Sequence, residues 1–138
     1  MTSLQSPIKE QIESLISKSN EEFEKANHAQ SIQLLEDAWG KIPAPKGLYE
    51  DSYHIVKDII DTCFINKDFS KAKEWSEKMF LTGFARIDSG ERDFYAGKIA
   101  FELGELEVAK EFFSIADKKS EGRCFEDEDT KYLKFFKK

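Results

Sequence analysis

A chain of 138 residues has the size of one ordinary domain, able to bury roughly two thirds of the surface its unfolded form exposes, and a single domain over 1–138 is expected. Its composition, 40% hydrophobic, 35% charged and 13% aromatic with only 7 Gly and 3 Pro, excludes a disordered segment or linker and favours helix. A formal charge of -6 repels a phosphate backbone, and no stretch approaches the roughly 20 apolar residues of a membrane span, so neither nucleic acid nor membrane is an expected partner.

The opening residues, MTSLQSPIKEQ, carry neither the cationic nor the apolar segment of a secretory leader, and a cytoplasmic location is expected. Ser6 as N-cap and Pro7 at the first helical position predict a helix over about 7–25, and a second follows over about 28–41. Pro43, Pro45 and Gly47 break the chain between Gly40 and Ser52. Helices over about 49–66 and 69–82 come next, then a connection from Leu81 to Gly90. Asp88 and Glu91, three apart, form a capping arrangement for a helix over about 89–103, and another is predicted over about 105–119. A last helix spans about 127–137, with carboxylates at its start (Glu126 to Asp129) and cations at its end (KYLKFFKK). That placement complements the helix dipole, which accounts for the basic end without a nucleic-acid arm.

Three windows of 18 residues align without a gap: Glu22 to Trp39, Cys63 to Phe80 and Ala100 to Asp117. In each, a Phe (Phe23, Phe64, Phe101) precedes by eight residues a small anchor, Ser31, Ala72 or Ala109. Large apolar residues follow the anchor by three or four positions (Leu34 and Leu35; Trp75; Phe112 and Phe113), and Ala38, Met79 or Ala116 by seven. Those offsets mark one helix face, and a small residue on it lets a neighbouring helix approach closely. Between Phe and anchor lie the turn residues Ala26-Asn27, Asn66-Lys67-Asp68 and Gly104-Glu105, so each unit reads as an antiparallel helix hairpin.

With these residues in place the sequence resembles the tetratricopeptide repeat family over roughly residues 8–118. The third unit carries the likeness through Gly97, Gly104, Leu106, Ala109, Phe113 and Ala116. The second keeps Asp68, Phe69 and Ala72 but has Ile60 where a small residue is usual and Ser76 where a large one is. The first keeps Ser19, Ser31, Leu35, Ala38 and Pro43. The anchors are 41 and then 37 residues apart, longer than the regular family repeat, so the extra residues fall in the connections. The resemblance implies an all-α, right-handed solenoid of about three helix hairpins, closed by a C-terminal capping helix in which Tyr132, Phe135 and Phe136 cover an exposed face.

Catalysis is not expected, because no phosphate-binding glycine loop, nucleophile elbow or metalloprotease motif occurs. Cys63 and Cys124 lack ligand spacing and are read as reduced thiols, with Cys63 in the core. His54, Asp58 and Asp61 lie along one helix, where three ligands seldom converge on an ion; a solvated acidic face is the reading, and no metal or cofactor is expected. Trp75 and Trp39 are both assigned to faces that pack adjacent hairpins, with some exposure compatible with the place of Trp39 beside Gly40.

The resemblance further implies that first-helix residues line a groove for a partner. Lys57, Asp61, Phe64, Phe94, Lys98 and Phe101 are the expected partner-binding residues, with Asn20, Phe23, Glu24 and Ile65 on the same face. The same Phe side chains alternatively pack on the next hairpin or lie beneath the last helix. The acidic balance and small size are similar in character to those of immunity proteins that neutralise a basic bacterial toxin; a chaperone or adaptor holding a peptide segment in the groove is the alternative.

Overall fold

The three repeated windows coincide with three turns of one geometry. A computed structural model describes residues 3–138, and among them it is all-helical, with seven α-helices and no strand. These are α1 (Ile8–Glu24), α2 (His28–Lys41), α3 (Glu50–Ile65), α4 (Phe69–Met79), α5 (Glu91–Glu102), α6 (Leu106–Ser120) and α7 (Thr130–Phe136). The chain divides into two compact units, Met1–Gly83 and Phe84–Lys138, where the length alone suggests one. The division falls inside the Leu81–Gly90 connection, which the sequence marks as a break in helical pattern.

Each turn is built on one left-handed residue: Ala26 (φ 63°), Lys67 (φ 56°) and Gly104 (φ 79°). Each donates its amide proton three residues back, Ala26 to Phe23 at 2.9 Å, Lys67 to Phe64 at 3.2 Å and Gly104 to Phe101 at 3.1 Å. The next amide reaches five residues back, Asn27 to Glu22 at 2.9 Å, Asp68 to Cys63 at 2.9 Å and Glu105 to Ala100 at 2.8 Å. This pair of bonds is the Schellman closure, which satisfies the last carbonyls of the first helix and turns the chain back. The second helix then packs along the first, α2 on α1, α4 on α3 and α6 on α5.

The anchors lie at these contacts, with Ser31, Ala72 and Ala109 all buried. Ser31 faces Ser19, and each hydroxyl donates to the other residue's carbonyl, at 2.8 Å from Ser19 and 3.0 Å from Ser31. Gly97 is matched to Phe113 so closely that a Cβ there would lie 2.6 Å from the ring. Ile60 and Ala72, at the corresponding positions of the second hairpin, are both fully buried.

In the first unit α2 also packs on α3, around a core that includes Ile12, Leu35, Tyr53, Ile59, Cys63 and Met79. Trp75 is buried, donates to Glu36 Oε2 at 3.2 Å, and meets the partly exposed Trp39 edge-on at 5.5 Å. In the second unit an aromatic core of Phe94, Phe113, Phe125 and Tyr132 is flanked by Phe101, Phe135 and Phe136. Here α7 does what its aromatic residues suggest. Tyr132 Oη donates to Glu102 at 3.0 Å, Lys131 pairs with the same carboxylate at 2.6 Å, and Lys98 reaches Glu128 at 3.0 Å.

Two caps differ from expectation. α1 begins at Ile8 with Pro7 in the cap position, because the Ser6 hydroxyl donates to the Glu10 carboxylate at 3.3 Å instead of accepting from a backbone amide. Before α5 the chain passes through left-handed Gly90, so the Glu91 amide meets Ser89 Oγ at 3.2 Å, not Asp88.

Lys67 is an exposed residue in a conformation that costs a β-carbon-bearing side chain about 1–2 kcal/mol, partly offset by the greater unfolded-state freedom of glycine. Lys67→Gly should therefore stabilise the protein by about 0.5–1 kcal/mol, read as a rise in the urea midpoint.

Candidate functional site

The turn geometry fixes which faces of the first helices stay open. In the first unit a cleft of 210 Å³ lies between α1 and α3, lined by Asn20 and Phe23 on one side and by Asp58, Asp61, Thr62 and Ile65 on the other. Its floor comes from Ser19 and from Ser31 and Leu35 of α2. Phe23 is 39% and Ile65 54% exposed, so two large apolar side chains stand at the cleft above polar groups. The Phe23 ring is supported edge-on by His28, at 5.2 Å. Asp58, Asp61 and Ile65 recur along α3 at helical spacing, which puts them on one stripe.

Electrostatics sharpen the picture. Desolvation, and next the neighbouring Asp61 charge, raise the Asp58 carboxyl above its usual 3.8, while His54 and Lys57 pull it back down. Thr62 donates to the Asp58 carbonyl at 2.8 Å, which holds its hydroxyl against α3. His54 is exposed, with Nε2 3.6 Å from Glu50. Among the described residues no group of three or more His, Cys, Asp or Glu side chains is placed to hold a metal ion. No described helix is long and apolar enough to cross a membrane.

Of the expected binding residues, Asp61 lines this cleft, together with Asn20, Phe23 and Ile65 from the same predicted face. Lys57 is half-buried on α3, outside the lining, and Phe64 turns its ring to Phe69 at 5.2 Å. In the second unit, Phe94, Lys98 and Phe101 hold places other than the exposed groove positions expected of them. Phe94 is 4% exposed, with Phe113, Phe125 and Tyr132 around its ring. Lys98 is 8% exposed, with its ammonium over Tyr95 at 4.4 Å and Phe94 at 5.0 Å. Phe101 meets Tyr132 at 5.4 Å and Phe135 at 5.1 Å. The physical reason is α7, which buries apolar surface that α5 alone would leave in water.

Asp58 and Asp61 are exposed, in keeping with the solvated acidic face expected of them, while Thr62 and Leu35, which also line the cleft, were given no binding role by the sequence pattern. The spacing of Asp58, Asp61, Thr62 and Ile65 was the available signal, since it places two carboxylates beside an exposed apolar residue on one helix surface. Comparison with protein-family models found no match, and a search of the curated proteins found none either.

Two outcomes follow from this geometry. Phe94→Ala should cost about 3–5 kcal/mol of stability, as for other core Phe truncations, and appear as a lowered midpoint in denaturant melts. For Asp58, a raised carboxyl means that the folded chain holds the proton more tightly than the unfolded chain, so stability falls as pH rises from 3.8 through the folded-state value. Asp58→Asn should raise Tm at about pH 7 and leave it unchanged near about pH 3, where both states are protonated.

Proposed function

We propose that this chain is a non-enzymatic protein-binding module of the cytoplasm, a tetratricopeptide-like array of helix hairpins closed by α7, whose partner is a basic protein. The observation that supports this reading is the α1–α3 cleft, where Phe23 and Ile65 offer apolar surface beside the carboxylates of Asp58 and Asp61. Apolar anchors in a charged setting are the chemistry of binding hot spots. The net charge of -6 speeds capture of a cationic partner. A small acidic binder of this kind suits an immunity protein that neutralises a cognate bacterial toxin by occupying its basic surface. A chaperone or adaptor is the second reading, favoured by a cleft that lies along two neighbouring first helices, where a peptide segment has room to lie.

The test is capture of the partner by the tagged protein, followed by the double change Phe23→Ala and Ile65→Ala. Both residues are exposed, so the variant should keep its helical circular dichroism while losing about 2 kcal/mol or more of binding. Association should slow as salt rises from 0.01 M, where charges act over about 30 Å, to 1 M, where they act over about 3 Å. Undiminished binding by the folded double variant moves the interface off this cleft. Suppression of the captured protein's toxicity on co-expression selects the immunity reading, and release of a folded client selects the chaperone.

A further inference from the structure

The two units carry first-helix surfaces in the same register, and only one of them is covered. Counted back from the anchor, Asn20, Phe23 and Glu24 of α1 take the places that Lys98, Phe101 and Glu102 hold on α5. On α5 those places are filled by the chain itself. Tyr132 and Phe135 lie on Phe101, and Lys131 binds the Glu102 carboxylate at 2.6 Å. The occupant of this register is thus an apolar group joined to a cation, set on a Phe beside an acid. On α1 the same Phe is 39% exposed and borders a cleft where Asp58 and Asp61 supply the acid from α3.

We infer that the α1–α3 cleft is a receptor for one basic side chain, a lysine or arginine of the partner protein, with its aliphatic stem against Phe23 and Ile65 and its cationic end at Asp58, Asp61 and Asn20. Three observations converge on this chemistry. The cleft has a volume of 210 Å³ and is lined at its base by the buried Ser19, Ser31 and Leu35, so a side chain can enter between the two helices. The two walls differ, with an aromatic ring and an amide on α1 and carboxylates on α3, which suits a group that is apolar along its length and charged at its tip. The Asp58 carboxyl is raised first by desolvation and next by the Asp61 charge, with His54 and Lys57 acting the other way, and a cation entering the cleft beside it favours its charged form. The inference rests on the protein-binding reading above and specifies what the cleft recognises.

Its test uses the full chain and small probes. Nα-acetyl-arginine N-methylamide, its lysine counterpart and the neutral citrulline counterpart are titrated into 15N-labelled protein, and amide shifts are followed. Saturable shifts centred on Asn20, Phe23, Thr62 and Ile65 are expected with both cations and not with citrulline. The variant Asp58→Asn with Asp61→Asn should keep its fold and bind the cationic probes about tenfold more weakly. An equal response to citrulline, shifts scattered over the acidic surface, or unchanged affinity in that variant overturns the inference. The protein-binding reading is judged separately: if Phe23→Ala with Ile65→Ala abolishes partner binding while the carboxylate variant retains it, the cleft remains the interface and the cation receptor is refuted.

Discussion

One left-handed residue, placed five positions before each anchor, sets the register on which the hairpins depend. Once Ala26, Lys67 or Gly104 closes its Schellman turn, the second helix can return along the first in only one alignment. In the first hairpin that alignment brings the residue twelve before the anchor to face it. Ser19 then meets Ser31 through reciprocal hydrogen bonds, Ile60 and Ala72 are buried together, and Gly97 leaves its space to the Phe113 ring. Turn chemistry and side-chain volume therefore act as one constraint, and a change in either is felt in the other.

The same register has two fates. In the second unit the first-helix surface is roofed by α7, and its potential anchors become core: Phe94 and Phe101 are locked among rings, and Lys98 is buried against Glu128. In the first unit Phe23 and Ile65 stay open. A volume difference on the second helix also separates them. Leu35 stands where the third window has Phe113, and the smaller side chain forms part of a cleft floor where the ring fills a core.

Helical content, the hairpin turns and the covering role of the last helix were legible because they follow from local rules: periodicity, turn residues and a terminal run of aromatics. The seven helices lie within about three residues of the spans expected from pattern, in line with the usual uncertainty at helix ends. The exposed face was less legible. Phe23, Phe64 and Phe101 hold the same position in their windows, yet one is exposed, one rests on Phe69 and one lies under α7. Phe101 is covered by α7 residues distant in sequence and Phe64 by a Phe69 that the other windows lack, and a repeat pattern cannot encode what differs between its copies. The caps failed for a related reason, since Ser6 chose a carboxylate four residues on over the backbone amide that its position suggested.

The buried thiol of Cys63 has a use of its own. It has no exposed surface, and its burial among α3 and α4 residues pushes it up to about 12. At neutral pH the thiol therefore stays protonated, and no reagent reaches it while those helices stay together. Cys124, half-buried in the other unit with its thiol also raised by burial, stands apart as a second thiol of different accessibility. Cys63 is thus a built-in clock for the first unit, since the pace at which its sulfur is alkylated records how often its surroundings open, and the more accessible Cys124 serves as the internal reference.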